Sequence, residues 1–147
     1  MQARHRPTGR LRLIAARLGL ALLAGGPGCF LVSHNVTIAV DYGLLQRTPQ
    51  YSRSTDILLG AELELVLYSN GTTGYLWTDP AQLSDATVLE QTDHRYVIRP
   101  NPNAGEAGHE VFTFETKAKG DCTVFLEYKG PLSTEVAYTC TINVKVM

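Results

Sequence analysis

Three cysteines and four histidines hold most of the scope for nucleophilic, redox or metal chemistry in this chain of 147 residues. A catalytic cysteine needs a nearby base and a depressed pKa. His34, His94 and His109, the histidines outside the Arg-rich N-terminus, stand in no recognisable nucleophile motif. There is no CxxC, no pair of histidines at metal-ligand spacing, no phosphate-binding GxxxxGK[ST], no GxSxG and no HExxH. The sequence therefore gives an enzyme little support and calls for no metal and no cofactor.

Two of the cysteines have a structural use instead. Cys122 opens the β-prone run Thr123-Val-Phe-Leu-Glu-Tyr128, and Cys140 lies within Tyr138-Thr-Cys-Thr-Ile-Asn-Val144. Between them, Lys129-Gly-Pro-Leu-Ser-Thr134 breaks the pattern. In an antiparallel hairpin centred on Pro131, Cys122 would face Cys140, within disulfide reach at a non-hydrogen-bonded pair. An oxidising compartment would permit that bond, and two buried free thiols are the alternative.

What else stands out is a set of three glycine-bearing loops between solid strand patterns: 69–74, with Asn70, Gly71, Thr72, Thr73 and Gly74; 103–109, with Gly105, Glu106, Ala107 and Gly108; and 128–133, with Lys129, Gly130, Pro131 and Leu132. The elements that must hold them read as β throughout. In Glu62-Leu-Glu-Leu-Val-Leu-Tyr68 the leucines share one face and the glutamates the other, the period-two alternation of a half-buried strand. Residues 36–40, 75–78, 87–90, 94–98, 111–116, 122–128 and 136–146 are further strand candidates, whereas 41–55 is polar and punctuated by Gly and Pro, and reads as an irregular arm. No window past the N-terminus has a helical period. Seven or eight short strands at intervals of roughly 8 to 12 residues predict an all-β sandwich of immunoglobulin type.

Charge sorts along the chain. Of 13 Lys and Arg, five (Arg4, Arg6, Arg10, Arg12 and Arg17) precede the apolar run Leu18–Ala24, and no acidic residue occurs before Asp41. Removing those five leaves eight cations against 14 acidic residues, a net of −6 for the remainder. A basic segment, a short apolar core and a small-residue exit make 1–28 a signal peptide, and the core is far short of the ~20 residues of a membrane span. The mature chain is then expected to be periplasmic, secreted, or anchored as a lipoprotein through an acylated Cys29, which follows Gly26-Pro-Gly28 where a lipobox would place it. A mildly acidic body also excludes nucleic acid as the main partner, because that grip needs a basic surface. At about 150 residues per domain, one globular unit follows, with 29–56 as an arm and first strand and 57–147 as the main domain.

In order and spacing the three loops resemble those of the chagasin-like inhibitors of papain-like cysteine proteases, whose patterns are Asn-Pro-Thr-Thr-Gly-aromatic-x-Trp, Gly-x-Gly-Gly with a later aromatic, and Tyr-x-Arg-Pro-Trp. Asn70, Thr72, Thr73, Gly74, Tyr75 and Trp77 match the first pattern, with Gly71 in place of Pro. Gly105, Gly108 and Phe112 match the second, with Ala107 for Gly; Tyr128 and Pro131 match the third, with Gly130 for Arg and Leu132 for Trp. The resemblance spans 57–146 and implies a monomeric inhibitor whose loops enter the protease cleft, Thr72 and Thr73 nearest the catalytic groups. Trp77 and Phe112 read as core residues. A non-inhibitory sandwich serving as a cell-surface structural or adhesion module is the alternative, separated by whether the loops are exposed and convergent.

Overall fold

A computed structural model of the chain describes residues 35–98 and 107–147, so the expected signal peptide, Cys29, Gly105 and Glu106 lie outside the described residues. The described part is a two-layer β-sandwich. Its elements in chain order are β1 (Val36–Val40), α1 (Tyr42–Arg47), β2 (Gln50–Ile57), β3 (Glu62–Ser69), β4 (Leu76–Trp77), β5 (Gln82–Leu83), β6 (Leu89–Val97), β7 (Gly108–Thr116), β8 (Gly120–Lys129) and β9 (Val136–Val146). One sheet runs β1-β3-β7-β6 and the other β2-β9-β8-β4, with β5 also paired to β8. β1 lies parallel to β3 and β2 parallel to β9; the remaining pairings are antiparallel.

The alternation read from the sequence is what builds the core. Along β3, Leu63, Leu65 and Leu67 are fully buried while Glu62 and Glu64 are not. They meet Ile38 and Val40 of β1 and Phe112 and Phe114 of β7, and across the sandwich Val124 and Leu126 of β8 and Ile142 and Val144 of β9. Each such side chain contributes on the order of 1.5–3 kcal/mol by leaving water. Trp77 and Phe112 are both in this core.

Three expectations need correction. The arm at 41–55 is ordered: α1 is a six-residue helix whose N-cap Asp41 accepts the Leu44 N–H at 2.8 Å through Oδ1, and Leu45 is buried beneath it. So short a helix shows no period in sequence, and the cap is its main local signal. The same arm continues as β2, an edge strand that is polar because one side has no neighbour in the sheet. The two candidates at 87–90 and 94–98 are one strand, β6, interrupted by a bulge between Gln91 and Asp93. With β2 and β5 added, the described residues hold nine strands, two of them only two residues long.

The third correction concerns the cysteines. Within the β8–β9 hairpin Cys122 faces Val144, and Cys140 faces Leu126. The hairpin closes around Ser133 rather than Pro131, because the connection after Lys129 is longer and the register shifts between Tyr128 and Lys129. Cys122 and Cys140 are thus four residues out of register, ~13 Å along the strand, well beyond the ~4.4–6.8 Å between Cα atoms that a disulfide spans. Both are free thiols buried in the core.

Candidate functional site

The strand registers carry the three loops to one end of the sandwich. Ser69, where loop 1 begins, pairs with Gly108, where loop 2 ends. Val97, where loop 2 begins, pairs with His109. Leu76, where loop 1 ends, pairs with Lys129, where loop 3 begins, and Lys129 pairs in turn with Val136 beyond it. The segments expected to act together thus leave neighbouring strand ends, and the closed sandwich brings both sheets to the same edge.

Loop 1 is held by its own hydrogen bonds. Gly71–Thr73 form a turn of 3-10 helix, capped by Asn70, whose Oδ1 accepts the Thr72 N–H at 3.2 Å and the Thr72 hydroxyl at 2.7 Å. The Thr73 hydroxyl donates to the Asn70 carbonyl at 2.7 Å, and its oxygen accepts the Tyr75 N–H at 3.4 Å. Gly74 closes the turn in the left-handed region, φ +74°, where a side chain would be strained. The motif's polar residues therefore set the shape of the loop, and Gly71, Thr72, Thr73 and Gly74 are all exposed at its tip.

Aromatic side chains bolt the loops together. Tyr128, buried and the first residue of the third motif, accepts the Asn70 N–H on its hydroxyl at 2.9 Å. Its ring lies 5.2 Å from Trp77, 5.8 Å from Tyr75 and 5.8 Å from Tyr138, a floor beneath loops 1 and 3. Trp77 fixes that floor by donating from Nε1 to the Tyr68 carbonyl at 2.8 Å. Tyr96 does for loop 2 what Tyr128 does for loop 3: its hydroxyl accepts the N–H groups of Gly71 at 3.3 Å and Gly108 at 3.1 Å. The first of these bonds needs a residue other than Pro at 71, which makes the departure from the family pattern there a compensated one.

Gly108 is required for a different reason. A Cβ there would lie 2.5 Å from the Val97 carbonyl oxygen and 2.8 Å from the Tyr96 ring, so β6 and β7 approach too closely for any side chain. Gly130 has no such constraint, since a Cβ would sit 3.5 Å from Tyr75 and Ser133, ordinary contact. In loop 3, Gly130 is buried against Tyr75, Pro131 is exposed and Leu132 is 100% exposed, while Lys129 turns to Glu127 at 2.9 Å. Ala107 is half-buried at the mouth of β7. Among the described residues no group of three or more His, Cys, Asp or Glu side chains is placed to hold a metal ion.

A family model described as Chagasin family peptidase inhibitor I42 matches residues 56–146. The chain belongs to the chagasin family. The family consists of inhibitors rather than enzymes, and its fold is that of this chain. Solved structures similar to this chagasin-family member include the cysteine protease inhibitor EhICP2 from Entamoeba histolytica, at 16% identity and a TM-score of 0.61 over 78% of this chain and 98% of that one. Amebosin is similar at 20% identity and a TM-score of 0.56, over 78% and 99% of the two chains. PbICP-C, solved in complex with falcipain-2, is similar at 16% identity and a TM-score of 0.59, over 77% and 100%. No curated protein matches the sequence.

The site also contains residues that the motif reading passed over. Tyr96 accepts the Gly71 N–H, Glu110 accepts the hydroxyl of Ser69, the first residue of loop 1, and the Trp77 N–H beyond the loop, and His94 lies against Glu110. Tyr96 and His94 carry no loop signature, and what brings them inward is the β6 bulge, which lets Gln91, His94 and Tyr96 share a face although 91 and 94 are an odd number of residues apart. Glu110 had one signal in the sequence, a charged residue at an inward position of the alternating strand Val111–Thr116 extended by one turn of its pleat.

Proposed function

We propose that this chagasin-family chain inhibits papain-like cysteine proteases by filling the active-site cleft with loops 1, 2 and 3, and that Asn70–Gly74, Gly105–Gly108 and Lys129–Leu132 are the residues that touch the enzyme. The observation that carries the reading is the bond from the Asn70 N–H to the Tyr128 hydroxyl, which joins the first and third motifs into one preformed surface. A surface already ordered before contact loses little conformational entropy on binding. Loop 1 has the right shape for a narrow cleft: a tight turn with only small side chains at its tip. Its threonine hydroxyls are engaged within the loop, so the backbone enters the cleft without being loosened into an extended, cleavable strand.

We also propose that the mature chain is exported, a location consistent with the same role. The described chain begins at Asn35, which accepts the Glu62 N–H at 3.1 Å at the start of β3, the end of the sandwich opposite the loops. Asn35 lies six positions after Cys29 in the sequence, a reach of at most about 20 Å when extended. An acyl anchor on Cys29 would hold the protein by its base and leave the loops facing outward. Mass spectrometry of native material distinguishes an acylated Cys29 from an unmodified new N-terminus, and recovery of the full chain from the cytoplasm defeats both.

Titration of papain and of a cathepsin L-type enzyme with residues 30–147 tests the inhibitory reading. Inhibition at submicromolar concentration is expected, and none at micromolar concentration against either enzyme overturns it. Thr73→Glu should abolish inhibition with the fold intact by circular dichroism, since it places bulk and charge at an exposed turn tip where stability effects are small. Thr73→Ser, which keeps the hydroxyl, should inhibit nearly as well as the wild type.

A further inference from the structure

Loop 1 returns to the sandwich through β4, a strand of two residues at the edge of its sheet, and the two differ in burial: Trp77 is in the core and Leu76 is 50% exposed. Leu76 belongs neither to the core nor to the partly buried side chains packed against it. Open space lies on both sides of it. One cleft, of about 480 Å3, runs from Gly71 in loop 1 down between Leu76 and Tyr96. The other, of about 400 Å3, lies between Leu76 and the Gly130 and Pro131 of loop 3. Trp77 lines both, so Leu76 stands above it as a ridge between two clefts.

The first cleft offers a visitor apolar surface, because its polar groups are engaged with one another. Glu110 accepts the Ser69 hydroxyl and the Trp77 N–H on Oε1 and faces His94 with Oε2. His94 Nδ1 lies 3.1 Å from Asp79 Oδ2, and Asp79 Oδ1 accepts from Gln91 at 2.7 Å. The Tyr96 hydroxyl accepts the Gly71 and Gly108 N–H groups. What is left over is the Leu76 side chain and the ring of Tyr96, which is 40% exposed. An apolar side chain entering between them drives water from both walls and breaks no hydrogen bond.

We propose that Leu76 and the cleft beside it extend the inhibitory surface beyond the three loops: Leu76 lies against the wall of the protease's active-site cleft, and the space between Leu76 and Tyr96 receives an apolar side chain of that wall. The surface is continuous with the inhibitory one, since Gly71 belongs to loop 1 and also lines the cleft. Depth agrees as well. Leu76 is two residues beyond Gly74, about 7 Å back along the strand from the end of loop 1, so a protease cleft deeper than that brings its wall to this flank. The free protein gains nothing by holding Leu76 half in water, because β4 pairs with Lys129 through its backbone, which asks for no particular side chain. Tyr96 is fixed by the bonds its hydroxyl makes to loops 1 and 2, so that wall of the cleft is ordered before contact and little entropy is lost on binding.

The proposal rests on the inhibitory reading, and its test separates the two. Leu76→Ala and Leu76→Asp are titrated against papain and a cathepsin L-type enzyme, with melting temperature as the control. Both variants should melt with the wild type, since the side chain has no part in the core. Leu76→Ala should inhibit at least one of the two enzymes about fivefold less well, the scale of burying the exposed half of a leucine. Leu76→Asp should lose about tenfold or more, because its charge would be stripped of water against an apolar wall. A Leu76→Ala that inhibits both enzymes as the wild type does overturns the proposal and leaves the inhibitory reading standing; absence of inhibition by the wild type overturns both. Should the variants unfold or melt early, carbene footprinting of the wild-type protein with and without papain reads the same contact. Loss of label at both Leu76 and Tyr96 in the complex supports the proposal, and unchanged labelling at either overturns it.

Discussion

The Asn70 N–H donates to the Tyr128 hydroxyl at 2.9 Å, and this one bond links residues 58 positions apart that open two of the three loop motifs. Replacing Tyr128 with Phe keeps the aromatic floor and removes only the acceptor. A part-buried N–H left without a partner costs about 1–3 kcal/mol. Tyr128→Phe should therefore lower the melting temperature by several degrees, on the scale of about 4–8 °C per kcal/mol for a domain of this size. It should also weaken inhibition of papain, because loop 1 loses its tie to loop 3. Thermal unfolding followed by circular dichroism and a steady-state inhibition assay measure the two effects on one sample.

Gly108 offers a sharper test of what the second motif is for. A Cβ at this position meets the Val97 carbonyl oxygen at 2.5 Å, and backbone cannot rotate away as a side chain can. Gly108→Ala should destabilise the fold by at least about 1–3 kcal/mol, the usual cost of overpacking. Gly130→Ala, where the added carbon finds ordinary contact at 3.5 Å, should leave stability almost unchanged. Equal denaturant midpoints for the two variants would show that the close approach of β6 and β7 is relaxed without cost.

The free cysteines give a prediction in pH. Burial pushes the Cys140 thiol from its ordinary 9.0 up to about 12, since a thiolate would be stranded in the core. A thiol reagent at about pH 8 should leave the native protein unlabelled at Cys140, because the thiolate is the reacting species, and should label both Cys122 and Cys140 once the chain is unfolded. The folded state holds this proton more tightly than the unfolded state does. Stability is therefore unaffected by Cys140 below pH 9.0 and declines as the pH climbs from there toward about 12. Urea unfolding of the wild type and of Cys140→Ala at successive pH values isolates the contribution.

How much of this was legible in the residues differs from element to element. The alternation of Leu63, Leu65 and Leu67 against Glu62 and Glu64 carried the β3 strand and its buried face, and 136–146 matched β9 end for end. Period two survives in sequence wherever one face is wet. It vanishes in β2, an edge strand with little apolar face, and in α1, a helix of six residues. The cysteine pairing failed because hairpin register depends on the length and bulge of the turn, and four more residues between the paired strands, which move the centre of the hairpin by two, displaced every partner by four. At the site, the loop motifs pointed to the right end of the molecule, yet Tyr96, His94 and Glu110 stayed hidden. Their roles depend on the β6 bulge that turns Gln91, His94 and Tyr96 to one face, a shift that no local pattern announces.

Leu132 is where this chain departs most from its family's loop pattern, and the structure shows the consequence. The side chain is 100% exposed at the tip of loop 3, with Gly130 buried below it against Tyr75 and Pro131 fixing the turn beside it. An apolar side chain held out in water has nothing to gain in the free protein, so its burial is available entirely to a partner. Leucine supplies less area than the tryptophan usual there, and aromatic anchors commonly account for ~2 kcal/mol or more of an interface. Leu132→Trp should tighten inhibition of papain by about tenfold or more, with no change in melting temperature, since the position touches nothing in the fold. Leu132→Asp should weaken inhibition with equal indifference in stability. If both variants inhibit as the wild type does while loop 1 variants lose activity, loop 3 acts only as a support for loop 1 through Tyr128, and the contact with the enzyme is confined to the other two loops.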